Sequence, residues 1–159
     1  MSTEIDPKDL YRWCSIPVEK LVGHPELRVP FRLVRDAEEL GELMANEFVR
    51  LIQENNSLNR VTRAIVPCGP KCWYEPFINL VNSQNVSLEK LFVFHMDECL
   101  DWEGRPLAVN HPYNFRTFME KHFYGGVSPE LSVPNEQRLW LLPSTMELSL
   151  IHISEPTRP

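Results

Sequence analysis

A chain of 159 residues, 43% of them hydrophobic and 24% charged, is long enough for one domain with a sizeable core. Its net charge of −6, with Lys and Arg scattered, argues against a nucleic-acid surface, and no apolar run approaches the roughly 18–20 residues that span a bilayer. The start, Met1-Ser2-Thr3-Glu4-Ile5-Asp6, is polar and shows no secretory signal, so Cys14, Cys68, Cys72 and Cys99 are expected as reduced thiols in a cytoplasmic protein.

Residues 1–30 read as an irregular leader with a short helix over Pro7–Trp13, because prolines at 17, 25 and 30 forbid long elements. Trp13, Ile16, Val18, Leu21 and Val22 give it apolar surface to pack with. Phe31-Arg32-Leu33-Val34 reads as a short strand. Asp36 and Glu39 then form a capping-box-like helix start. Leu40, Leu43, Met44, Phe48, Leu51 and Ile52 recur at helical spacing and define its inward face, which Asn55-Asn56-Ser57 ends. A second strand, Val61–Val66, stops at Pro67. The turn Pro67-Cys68-Gly69-Pro70-Lys71 leads to a helix over Trp73–Val81, with Phe77, Leu80 and Val81 inward and Pro76 tolerable only in the first turn.

After the polar loop Asn82–Ser87 comes the most distinctive stretch, Leu91-Phe92-Val93-Phe94-His95-Met96-Asp97-Glu98, a buried strand that ends in two carboxylates. A polar loop follows, then a helix with Pro112 of His111-Pro112 at its first position and Phe115, Phe118, Met119 and His122 or Phe123 inward. Gly125-Gly126 ends it, and Leu139–Leu142 is a last short strand. Strand and helix alternate throughout, and the strands are almost continuously apolar. That pattern predicts an α/β fold, a parallel sheet with helices on both faces.

Ligands of open α/β sheets collect outside the carboxyl ends of the strands, which puts Asp97 at the mouth of a site. A carboxylate there, against an apolar wall, can serve as a general base; the plain alternative is a helix cap or a loop salt bridge. The turn Cys68, Gly69, Pro70 and Lys71 is a candidate phosphate cradle, with a tight turn as its plain alternative. His95, Asp97 and Cys99 alternate as zinc ligands would. No second ligand cluster has suitable spacing, and Cys68-x-x-x-Cys72 is not a standard metal pair, so neither a metal nor a cofactor is expected. Cys68 has no identifiable base to make it a nucleophile, and His111 and His122 read as helix-start and helix-surface residues.

Val93–Glu98, followed by His111-Pro112-Tyr113-Asn114-Phe115-Arg116-Thr117-Phe118-Met119 and Phe123, resembles the glucosamine-6-phosphate deaminase/isomerase family. Members of that family carry a strand ending in Asn-Met-Asp-Glu-Tyr and then His-Pro-x-Ser-Tyr-x-x-Phe-Met. The likeness runs from about Phe31 to Pro143 and sets Pro67–Lys71 where the family has its phosphate loop. It implies a modified Rossmann-like fold and a sugar-phosphate substrate. In that chemistry Asp97 moves a proton between C1 and C2 of the ring-opened sugar, Glu98 is its neighbour in the site, and Cys68–Lys71 line the phosphate. Glucosamine 6-phosphate then becomes fructose 6-phosphate and ammonia, in a full-length parent that is a possible homo-oligomer.

The chain departs from the pattern at Pro70, Lys71, His95 and Cys99. It also lacks the family's Gly-x-Gly-x-Asp-Gly-His segment, which supplies the ring-opening histidine. Residues 31–146 are therefore read as the N-terminal part of the α/β domain, truncated and catalytically incompetent alone. Residues 147–159 resemble translated sequencing-adapter read-through and are read as a non-native tail, with a genuine strand Leu148–Ile153 as the alternative. Two other functions stay open: a non-catalytic sugar-phosphate-binding or regulatory module, and a 6-phosphogluconolactonase-like hydrolase.

Overall fold

The computed structural model describes residues 5–142, and backbone contacts divide the chain into two units, Met1–Asp36 and Ala37–Pro159. Residues 147–159, including the segment read as a tail or a strand, lie outside the described residues.

In the first unit, helix α1 (Pro7–Cys14) is capped by Asp6, whose carboxylate accepts from the Lys8 N–H at 2.8 Å. No residue of α1 is buried. Arg12 pairs with Glu26, and the Trp13 and His24 rings meet edge to face at 5.6 Å. The strand expected at Phe31–Val34 does not form; the segment is irregular, with Phe31 and Leu33 exposed. A strand exists only through pairing with a neighbour, and β propensity without a partner leaves an unpaired extended segment.

The second unit runs α2 (Ala37–Ser57), β1 (Thr62–Val66), α3 (Tyr74–Ser83), β2 (Leu91–His95), α4 (Phe115–His122) and β3 (Arg138–Leu139). The three strands form one parallel sheet in the order β1-β2-β3, with Thr62 opposite Leu91, Val66 opposite His95, and Val93 opposite Arg138. The last strand is therefore shorter and earlier than the Leu139–Leu142 expected.

Period-two alternation along the strands decides which side is buried. Thr62, Val66, Leu91, Val93 and His95 face inward, while Ile65, at 72% exposure, and Phe94 face out. Ala45, Val49 and Ile52 of α2, Phe77 and Val81 of α3, and Met119 of α4 join Val66, Leu91 and Val93 in one core. The helices of this unit thus gather on one face of the sheet. Ile65 and Phe94, which point the other way, are exposed. Aromatic rings fill the centre: Phe77 stacks on Phe123 at 5.2 Å, and Trp73 meets both edge-on or tilted. Such pairs each add about 0.5–1.5 kcal/mol beyond burial.

The inward face of α2 is rotated from the one its large residues suggested. Gly41, Ala45, Val49 and Ile52 are buried, Met44 and Phe48 flank them, and Leu51 is exposed. Small side chains win here because they let α2 approach its neighbour closely. Where the sheet and helices exchange direction, Asn59 and Asn85 take left-handed backbone angles (φ 54° and 51°), a conformation asparagine tolerates better than most residues. Pro76 is the third residue of α3, where helical N–H groups lack internal partners anyway.

Helix α4 starts later than His111-Pro112 suggested. Residues 111–113 form a turn in which the His111 Nδ1 accepts from the Tyr113 N–H, and the helix begins at Phe115 behind the N-cap Asn114. The Asn114 side chain accepts from the Thr117 N–H at 2.8 Å, so a side-chain acceptor, not proline geometry, fixes the start.

Candidate functional site

The site lies where β1 and β2 end side by side. Parallel pairing continues one step past the strands, with the Met96 N–H donating to the Val66 carbonyl at 3.0 Å, and then the two chains turn apart. Asp97 bridges the divergence. Its Oδ1 accepts from the Cys68 N–H at 3.2 Å, and among the described residues Oδ2 accepts no hydrogen bond. A half-buried carboxylate is thereby anchored by one oxygen at the sheet's carboxyl edge and presents the other.

Glu98 faces a different task. Its Oε1 accepts from the N–H groups of Phe115 at 2.7 Å and Cys99 at 3.1 Å, and its Oε2 accepts from the Arg116 N–H at 2.9 Å. An anion over the first N–H groups of α4 satisfies donors the helix cannot pair internally and complements its positive end. Glu98 therefore ties the end of β2 to the start of α4. The two adjacent carboxylates join three segments between them: the β1 turn, the β2 end and the α4 start.

The turn after β1 only partly gathers as a cradle. The Cys68 N–H is already bonded to Asp97, the Gly69–Pro70 peptide is cis, and Pro70 has no donor. Lys71 does not reach back to the strand end; its Nζ lies over the Phe118 ring, 5.2 Å from the centroid. Burial, reinforced by the charges of Asp97 and Glu98, pushes the Cys68 thiol up to about 11, so it stays protonated at neutral pH and is no nucleophile.

The alternating His95, Asp97 and Cys99 do not converge. The His95 ring is buried, with Nε2 2.9 Å from the Tyr124 hydroxyl and the ring stacked on Trp140 at 3.7 Å. Burial, and then the Arg138 charge, pull it down to about 4, so it is a neutral core histidine. Among the described residues no group of three His, Cys, Asp or Glu side chains is placed to hold a metal.

Sequence reasoning passed over two neighbours of the site. Tyr74, the first residue of α3, is buried and donates its hydroxyl to the Met119 Sδ at 3.1 Å; burial, then Cys68 and Asp97, push its phenol up. Gly41 of α2 touches the backbone of Cys72, in the turn that carries Cys68. A lone glycine in a helix, where alanine is preferred, was the available signal for such a close approach.

No protein-family model matches the chain. A glucosamine-6-phosphate deaminase of Aliivibrio salmonicida is 32% identical over 97 residues, which cover 59% of this chain and 35% of that protein. The chain thus spans about a third of the length of this curated relative. Among solved structures, a monomeric glucosamine-6-phosphate deaminase described as a missing link of the NagB superfamily superposes with a TM-score of 0.59. That match is 17% identical and covers 74% of this chain and 44% of that one, a likeness of fold. No helix among the described residues is long and apolar enough to cross a membrane. Over the part it spans, this chain is similar in sequence to one glucosamine-6-phosphate deaminase and similar in fold to another.

Proposed function

We propose that the protein to which this chain belongs is an amino-sugar phosphate deaminase/isomerase and that Asp97 is its general base. The observation that carries the reading is the Asp97 carboxylate at the carboxyl end of the central strand, anchored through one oxygen by the Cys68 N–H. Such a group can take the proton from C2 of a ring-opened 2-amino aldose phosphate and return it at C1. The aldehyde and amine thereby become a ketimine, which water converts to the ketose and ammonia. With glucosamine 6-phosphate the products are fructose 6-phosphate and ammonia. Glu98, spent on three backbone donors, holds α4 beside the base and takes no part in proton transfer.

The chain alone is expected to be inactive, because it spans 35% of its relative and the reaction also needs a group that opens the sugar ring. A cytoplasmic setting with reduced thiols and a homo-oligomeric parent belong to the same reading. One observation favours a second reading, a sugar-phosphate-binding module without turnover. In the β1 turn the Cys68 N–H is occupied and Pro70 offers none, which weakens a phosphate loop built on backbone donors.

The test is ammonia and fructose 6-phosphate release from glucosamine 6-phosphate by the gene-length protein, this chain, and Asp97→Asn. Asparagine still offers an oxygen to the Cys68 N–H, so the fold is kept while the base is lost. The substitution should lower turnover about 10²–10⁴-fold. Equal activity in both forms rejects Asp97 as the base. Binding of the sugar phosphate with no product from the gene-length protein selects the module.

A further inference from the structure

The connection from β2 to α4 is a closed loop whose two ends meet at one atom. Glu98 Oε1 accepts from the Cys99 N–H at 3.1 Å and from the Phe115 N–H at 2.7 Å. Between them Cys99–Asn114 forms an Ω-type loop held by its own polar groups. Asp101 Oδ1 accepts from the Glu103 and Arg105 N–H groups at 2.9 and 2.8 Å, and Oδ2 accepts from Arg105 Nε at 2.9 Å. Arg105 also pairs with Glu103. Gly104 takes the left-handed angle this turn needs (φ 76°), and Leu100 and Pro106 bridge its base. On the returning limb the Asn114 side-chain amide donates to the Leu107 carbonyl, and the His111 N–H to the Ala108 carbonyl, both at 2.8 Å. The loop thus keeps its polar atoms inward and its largest apolar side chains outward. Trp102 at the tip is 89% exposed, Val109 74% and Tyr113 64%, and among the described residues no ring or cation lies against the indole. A loop without a partner is stabilised by the opposite arrangement, with its own apolar side chains packed inside.

We propose that this loop is a protein interface, that Trp102 is its anchor, and that its partner is a second copy of the chain docked about a two-fold axis. Tryptophan, tyrosine and arginine are the residues that dominate binding energy at interfaces, and Trp102, Tyr113 and Arg105 bring all three to one loop. The internal bonds fix the loop before it binds, so little ordering is lost on association. A two-fold contact needs a patch that complements itself. The turn supplies it: exposed Arg105 beside Glu103 puts both signs at the edge of an uncharged centre made by Trp102, Val109 and Tyr113. At about 150–250 Å² for each aromatic side chain, that centre exposes about 400 Å² of apolar surface per copy, half of the roughly 800 Å² a stable interface takes from each partner. The dimer is therefore reversible, with a Kd of about 10–100 μM. The inference goes beyond the deaminase reading, whose homo-oligomer it supplies with a surface.

Sedimentation velocity of the full chain, from about 5 to about 500 μM at low and at high salt, tests the interface. The mass should rise from the 18.6 kDa monomer toward a dimer, and more so at high salt, because each copy carries a net charge of −6 and the centre of the contact is apolar. Trp102→Ala should weaken association at least about tenfold and Tyr113→Ala about threefold, while Trp102→Phe keeps most of it. Both positions are exposed, so the variants should unfold in urea as the parent does. Ile65→Lys, on the outward side of β1, should leave the dimer unchanged and separates this contact from pairing at the sheet. A chain that stays monomeric at the highest concentration overturns the proposal. So does a dimer that survives both Trp102→Ala and Tyr113→Ala, or one that Ile65→Lys abolishes. No substrate enters the measurement: a monomer leaves the deaminase reading intact, and a gene-length protein without turnover leaves the interface intact.

Discussion

Gly41→Ala tests how the site's turn is held. A Cβ added at Gly41 would lie 2.2 Å from the Cys72 carbonyl oxygen, 2.6 Å from its carbon and 3.2 Å from the Trp73 nitrogen. The atoms in the way are backbone, so no side-chain rotation relieves the clash. Either α2 or the turn must retreat by about 1 Å to restore ordinary contact. Two effects oppose one another. Alanine is the better helix former by about 1 kcal/mol. Overpacking typically costs 1–3 kcal/mol, and a backbone obstacle puts this case at about 3 kcal/mol. The clash wins, leaving a net loss of about 2 kcal/mol and a melting temperature lower by about 6 °C. Urea denaturation of the two forms measures the difference directly. Because the turn carries Cys68, hydrogen exchange at the Cys68 amide should also quicken as its bond to Asp97 loosens. A Gly41→Ala protein as stable as the parent, or more so, would show that propensity governs this position and that the close approach does not exist.

Removing Glu98 should cost about 1–2 kcal/mol in Glu98→Ala, as for a strong helix cap, with less lost in Glu98→Gln. Exchange at the Phe115 and Arg116 amides should rise in parallel, and unchanged protection there would refute the clip. His95 makes stability pH-dependent with a definite sign. Its folded-state value of about 4 lies below the ordinary 6.5, so the stability it contributes is complete above pH 6.5 and lost as pH falls from 6.5 toward 4. The loss should reach about 3 kcal/mol in denaturation measured across that window, and His95→Asn should flatten the slope; an equal slope in both proteins would rule His95 out as its source. Finally, iodoacetamide at pH 8 should alkylate exposed Cys14 well before Cys68, whose thiol sits at about 11. Equal rates, read by mass spectrometry, would contradict the burial of Cys68.

The parts of the fold that were legible in the sequence are those written as local pattern. The apolar runs at Thr62–Val66 and Leu91–His95 became paired parallel strands, and the helices between them fell within a few residues of expectation. What stayed hidden depends on partners distant in sequence. Phe31–Val34 has strand composition but no strand beside it. The face of α2 could not be chosen from hydrophobicity, because Gly41 and Ala45 are buried for their small size against the Cys72 backbone and the core. Charge and turn position alone made Lys71 a candidate phosphate contact, and no local pattern records where its ammonium lies. Its four-carbon stem carries the ammonium to Phe118, a residue 47 positions later in the chain.

Asp97 and Glu98 illustrate why the site was half legible. Two adjacent carboxylates after an apolar strand announce a charged strand end, but successive side chains leaving a strand point to opposite sides. Beyond the end of β2 the two part: Asp97 turns to the Cys68 N–H of the β1 turn, and Glu98 turns to the Phe115 and Arg116 N–H groups of α4. Glu98 has both oxygens engaged, so a proton placed on it would have to displace donors from a helix terminus. Asp97 has one oxygen engaged, so it can exchange a proton at the other while its anchor holds. The division of labour follows from the count of backbone donors each carboxylate meets: Glu98 sets the start of α4, and Asp97 keeps one oxygen free of hydrogen bonds among the described residues, as the proposed base requires.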